Sequence, residues 1–240
     1  MVLCYAFSKK SSDKSEVGEI KMNQGRIIVI TGSPGTGKST TASLVAKESD
    51  MDKSVHMHTD DFYHYLSKGA IPPHLPESNE QNLVVIEAFL EAAKRYARGG
   101  YDVIVDGIIG PWFLKPWQSL VREQYEVHYI ILRASKEETL KRAVERSKLD
   151  RKTNIELVDT MWEQFCNLGI YESNVVDTTT YSIQETVSAV QEKLQVGQRC
   201  YLRLFWRNSH LLSRPPAPQL NTNPKSSYFR TENGGSFFCP

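Results

Sequence analysis

Nine residues limit what this chain can fold into: "GSPGTGKST" at 32–40, directly after the apolar run "RIIVIT". Gly32, Gly37, Lys38 and Ser39 fit the spacing G-x-x-x-x-G-K-[ST], and Gly35 eases the turn between them. A backbone that wraps a phosphate and turns its N–H groups inward needs conformations that side chains obstruct, hence the glycines. Ser33, Pro34, Thr36 and Thr40 complete the wrap, and a helix expected from Thr40 presents its positive end to the anion. Lys38 is expected to neutralise the β and γ phosphates and Ser39 to ligate Mg²⁺. The cofactors read from this loop are therefore ATP and Mg²⁺.

The loop demands a strand before it and a helix after it, and the chain continues that alternation. Strands are expected over 26–31, 55–58, 102–106, 127–132 and 175–176. Between 79 and 98, Leu83, Ile86, Leu90 and Ala93 recur at helical spacing before the stop at Gly99 and Gly100. "TNIE" at 153–156 has the form of a capping box, ahead of a helix with Leu157, Met161 and Phe165 on one face. Ser182 with Glu185 repeats that signal before Val187, Val190 and Leu194. Strands alternating with helices predict a three-layer α/β/α fold with a five-stranded parallel sheet, and the phosphate loop at its first strand makes a P-loop NTPase the expected class.

Of the 240 residues, 40% are apolar and 24% charged, and no apolar run approaches the roughly 20 residues that span a bilayer. Residues 1–24 are rich in Ser and Lys without periodicity and read as a flexible leader. Residues 197–240 cluster Pro, Asn, Ser and Gly and read as a basic, largely disordered or weakly docked tail, leaving 25–196 as the folded domain. Lys and Arg number six against one acidic residue over 197–240, but 19 against 24 over 25–196. An acidic body argues against nucleic-acid binding, which needs clustered cations. Cys4, Cys166, Cys200 and Cys239 have no metal-ligand spacing, and Cys166 is expected as a reduced, packed thiol beside Trp162 and Phe165. The apolar "VLCYAF" precedes its lysines, the wrong order for a secretory signal, so a cytoplasmic setting is expected.

Carboxylates come next. "YDVIVDG" ends a strand on Asp106, which either binds the metal or caps the turn before Gly107; the metal role is favoured beside the loop. No Glu follows Asp106 to polarise a water, which tilts the chemistry from hydrolysis toward transfer. "HMHTDDFYH" at 56–64 ends the second strand, and in a parallel sheet the carboxyl ends gather on one edge. Asp60 and Asp61 then face the loop. One accepts the proton of an acceptor hydroxyl, Asp60 being the first choice, while the other assists metal or acceptor or caps a turn. The acceptor pocket is expected between Tyr63 and His64 on one side and "GIIGPWF" from Gly107, with Trp112, on the other; Phe62 and Phe113 read as core.

These residues resemble the small P-loop kinases typified by shikimate kinase, gluconate kinase and the chloramphenicol phosphotransferases, over about 26–196. "TDDFYH" is also similar to the matching segment of uridine and nicotinamide riboside kinases, where an Asp is the base. The resemblance implies a nucleoside or shikimate kinase-like fold and transfer from ATP to a small hydroxyl compound. It puts a lid arginine among Arg146 and Arg151, in the basic run "RAVERSKLDRK", which is otherwise a solvated face. From the gluconate kinase-like "VVDTTTYSIQETVSAVQEKL" it implies Asp177 and Thr178 beside the adenine. Adjacent aspartates and "DGIIGPWF" depart from shikimate kinases. A regulatory nucleotide-binding ATPase and a polynucleotide 5′-kinase are the competing readings.

Overall fold

Five strands, β1 (Ile27–Thr31), β2 (Ser54–His58), β3 (Asp102–Asp106), β4 (Val127–Arg133) and β5 (Val175–Asp177), pair in the order β2-β3-β1-β4-β5. Every pairing is parallel. The computed structural model describes residues 25–146 and 155–195; the expected leader and tail, Arg151 and the Thr153 cap lie outside them. All residues of β1 and β3 are buried, as are all of β4 but its last. Parallel strands covered on both faces read as continuous apolar runs, and these do.

Side chains alternate across the sheet and so divide the core in two. Ile27, Val29, Val103, Val105, Val127 and Ile131 point to one face, against Phe89, Leu90, Trp117, Leu120 and Phe165. Ile28, Ile30, Ile104, Ile130 and Leu132 point to the other, against Ala42, Val45, Val187 and Val190. The second layer is built by α1 (Lys38–Lys47) and α7 (Ile183–Gln195), which touch one another. The first is built around α3 (Asn79–Arg98) and α4 (Gln118–Arg122). The remaining helices are α2 (Thr59–His64), α5 (Lys136–Arg146) and α6 (Ile155–Gln164). The three-layer α/β/α arrangement is the one expected. No helix among the described residues is long and apolar enough to cross a membrane.

Several local expectations are corrected. The first helix begins at Lys38, two residues ahead of Thr40, so the motif lysine and serine already belong to its first turn. Residues 59–64, placed by the sequence only at the end of the second strand, form a short helix. Leu83 is 44% exposed, and the buried stripe of α3 runs instead through Val85, Ile86, Phe89, Leu90, Ala93 and Ala97. Leu83 faces outward because the first turn of α3 spends its inner side on the preceding loop. There the Gln81 amide pairs with both backbone groups of Ile71, at 2.8 and 2.7 Å. Ser78 Oγ and Asn82 Nδ2 both donate to the Pro73 carbonyl at 2.8 Å. Cys166 is exposed rather than packed: Phe165, just before it, turns into the core and leaves the thiol outward. The Ser182 and Glu185 capping box forms as expected, with Ser182 N–H donating to Glu185 Oε2 at 2.7 Å.

Two networks pin the sheet at its ends. At the amino edge, Arg26 donates from Nε and Nη2 to Asp102 at 3.0 and 2.9 Å, and Ser49 Oγ donates to Asp102 Oδ2 at 2.5 Å. At the carboxyl edge, Gly107 is buried against the start of α2: a Cβ there would lie 2.0 Å from Thr59 Oγ1. This close approach sets where α2 leaves β2. Gly107→Ala is expected to lower unfolding free energy by about 1–3 kcal/mol through overpacking, with part regained on adding Thr59→Ala. Urea denaturation of the parent and the two variants checks this, and a Gly107→Ala midpoint equal to that of the parent would contradict it.

Candidate active site

The register of the sheet assembles the carboxyl edge. Asp106 lies opposite Ile30 of β1 on one side and His58 of β2 on the other, so the end of β3 stands level with the start of the glycine loop. In the loop, the Ser33 carbonyl accepts Thr36 Oγ1 at 2.8 Å and Lys38 Nζ at 3.1 Å. The lysine thus lies folded across its own loop. Gly37, the N-cap of α1, is left-handed at φ 86°, and nothing lies within 4 Å of where its Cβ would be. Backbone conformation, not space, demands glycine there. The first turn of α1 carries no acidic residue of its own to offset its positive end.

Asp106 is completely buried and ringed by donors. Ser39 Oγ donates to its Oδ2 at 2.6 Å, and His56 Nε2 pairs with Oδ1 at 2.7 Å. His58 Nδ1 lies 3.0 Å from Oδ2, at an angle too poor for a full hydrogen bond. Burial works against the charge of Asp106, but His56, His58 and Ser39 outweigh it and hold the carboxyl well below its usual range. His58 also reaches Asp60 Oδ2 through Nε2 at 3.2 Å. Its imidazole is pushed up to about 10 by Asp106 first and Asp60 second, against the cost of desolvation. Burial, then the charge of Asp60, pushes the Tyr63 hydroxyl up to about 12, so Tyr63 shares the surroundings of Asp60.

The loop after β3 is fixed from both sides. Ile109 N–H donates to Thr31 Oγ1 at 2.8 Å, and Tyr129 OH donates to the Ile109 carbonyl at 2.6 Å. Trp112 is 47% exposed and meets Phe165 edge to face, centroids 5.2 Å apart. Phe62 and Phe113 pack against the core, as expected. Asp61 and His64 are exposed on α2.

Beyond β5 the chain is knitted to α5. Asp177 accepts Thr179 N–H and Oγ1 at 2.9 and 2.6 Å, buried Thr178 donates its N–H to the Arg133 carbonyl at 2.8 Å, and Arg142 Nη2 donates to the Thr178 carbonyl at 3.0 Å. α5 also abuts the glycine loop, since a Cβ on Gly35 would lie 2.6 Å from the Thr139 carbonyl. Asp177, Thr178 and the loop therefore belong to one edge, with Arg142 joining them. Arg146 closes α5, and Arg151 lies outside the described residues. A small cleft of about 210 Å³ beside Asp177 and Thr179 is lined by Arg133, Trp162 and Cys166.

Sequence reasoning did not single out His56, His58 or Arg142 for the site. Period-two spacing in "HMH" puts both histidines on one side of β2, which was the available signal. Among the described residues no three His, Cys, Asp or Glu are grouped to hold a metal. The Ser39 hydroxyl and Asp106 carboxylate, converging at 2.6 Å, suit Mg²⁺, which takes one or two protein oxygens and completes its shell from phosphates and water.

No curated protein sequence matches the chain. Among solved structures, the tunicamycin resistance protein of Deinococcus radiodurans is similar at 19% identity and a TM-score of 0.53, over 72% of this chain and 96% of that one. A gluconokinase from Sinorhizobium meliloti is similar at 18% and 0.50, over 78% and 99%. The APS kinase of Mycobacterium tuberculosis is similar at 17% and 0.52, over 72% and 98%. At such identities the likeness is one of fold. The family model described as an AAA domain matches residues 28–163, more than half of the chain, which therefore belongs to this family of P-loop proteins.

Proposed function

We propose that the chain is an ATP- and Mg²⁺-dependent phosphotransferase acting on a hydroxyl of a small molecule, in the cytoplasm. One observation carries the reading: a carboxylate suited to the metal, Asp106, and a second carboxylate, Asp60, meet at one sheet edge beside the glycine loop. A second carboxylate so placed can accept the proton of an acceptor hydroxyl. The gluconokinase and APS kinase fold matches support it, and so does the Gly107 that follows Asp106 where a glutamate would polarise water.

The division of labour follows from position. Residues 32–37 and the first turn of α1 bind the phosphates through backbone N–H groups, and Lys38 leaves the Ser33 carbonyl to neutralise them. Ser39 and Asp106 hold the metal. Bound MgATP supplies the phosphoryl group and the cation that offsets charge on it. Asp60 accepts the proton of the acceptor hydroxyl, in a setting that its neighbour Tyr63 shares. Asp61 and His64 on α2, with Gly107 and Trp112 across the edge, frame the acceptor. Asp177 and Thr178 lie on the base side, and the lid arginine is Arg146 or Arg151. We assign this work to a domain spanning 25–196.

The test is ADP release with MgATP over sugar acids, nucleosides, aminoglycosides and phenicols, and over oligonucleotides at two salt concentrations. An acceptor-dependent signal is expected from one small-molecule class; ATP binding without acceptor stimulation would favour a regulatory ATPase, and a salt-sensitive oligonucleotide signal a polynucleotide kinase. Lys38→Ala is expected to reduce turnover about 100-fold or more, by removal of charge stabilisation. Asp60→Asn is expected to reduce kcat about 10²- to 10⁴-fold while calorimetry still finds ATP bound. Asp61→Asn is expected to do less. Full turnover in Asp60→Asn would remove the base.

A further inference from the structure

Asp60 and Asp106 belong to different elements, α2 and β3, and a single side chain bridges them. His58 ends β2 directly opposite Asp106, with extended backbone at φ −102° and ψ 126°, and is also the residue from which α2 starts. Its ring presents Nδ1 to Asp106 Oδ2 at 3.0 Å and Nε2 to Asp60 Oδ2 at 3.2 Å. No other described residue joins the two carboxylates. His56 touches Asp106 but lies one alternation further back on the strand, and Asp61 turns to solvent. Thr59 Oγ1 also donates to the Asp60 carboxylate, at 3.5 Å the limit of such a contact.

We propose that His58 is a positioning residue, which fixes the Asp60 carboxylate relative to Asp106 through its two ring nitrogens. The proposal rests on the reading of Asp60 as the base. A carboxylate in the first turn of a six-residue helix has two side-chain torsions, and at 14% exposure its rotamer is set by the neighbours it touches. Proton acceptance from a hydroxyl requires that oxygen within hydrogen-bond reach while the phosphoryl group is held at the loop. Imidazole is rigid and offers one nitrogen to each carboxylate. A flexible ammonium in its place would attract both aspartates without setting their separation.

The experiment is steady-state kinetics with MgATP and the best acceptor, on His58→Ala, Asp60→Asn and the double variant. His58→Ala is expected to lower kcat about 10- to 100-fold, as loss of an orienting partner does, with KM for ATP unchanged. Imidazole in solution is expected to restore part of the rate. The double variant is expected to be no slower than Asp60→Asn, because the histidine acts through the aspartate. Additive losses, or a full rate in His58→Ala beside an impaired Asp60→Asn, overturn the proposal and leave the base in place. A full rate in Asp60→Asn removes the base and the proposal with it. Crystal structures of the parent and of His58→Gln give a readout independent of any acceptor: the Asp60 carboxylate is expected to shift by about an ångström, enough to matter for transfer, and an unmoved Asp60 overturns the proposal.

Discussion

A carboxylate with no exposed surface is tolerated only where donors replace the water it has lost, and Asp106 sets that condition at the centre of this molecule. Ser39 and His56 meet it with hydrogen bonds, and His58 adds its imidazole at 3.0 Å. They come from α1 and from two positions of β2, so the demand of one buried charge ties the glycine loop to the edge strand. The tie works only with β3 between β1 and β2, the order found. Replacing one donor would leave a buried charge short of a partner, which costs more than the hydrogen bond itself contributes.

The nucleotide side rests on a different constraint, backbone conformation. Gly37 turns the chain from loop to helix in a left-handed state, and α1 then starts with two motif side chains in its first turn. Lys38 and Ser39 point in different directions from that turn, one across the loop to Ser33 and one down to Asp106. A helix beginning at Thr40 would have left both on flexible loop. Their separate directions follow from the roughly 100° that each helical residue adds.

The loop, the strands and the bounds of α3 were legible in the sequence because local chemistry dictates them: glycine conformations, continuous apolar runs, and a stop at Gly99. The short helix α2 was not legible, since six residues are too few for a hydrophobic period to emerge. Leu83 fits the helical stripe of α3 by spacing, but the loop gripped by Gln81 and Asn82 takes that turn's inner side, a tertiary fact. His56 and His58 lie on one side of their strand by spacing alone. That they meet Asp106, roughly fifty residues on, depends on strand order and register, which no local pattern encodes. Asp60 and Asp106 were recognisable as candidates one by one; the histidine between them was visible only after folding.

The alternation of side chains through the sheet divides the interior into two compartments that share backbone but no side chains. The compartment under α1 and α7 adjoins the glycine loop and the residues after β5, whereas the one around α3 adjoins Phe62 and the chain leading to Trp112. Changes of packing in one are separated from the other by a hydrogen-bonded layer, and widely separated substitutions add with little coupling. Drift in the α3 compartment can therefore reshape one half of the carboxyl edge while the phosphate loop keeps its geometry. A sheet of this kind acts as a firewall, letting one scaffold change what it receives without relearning what it holds.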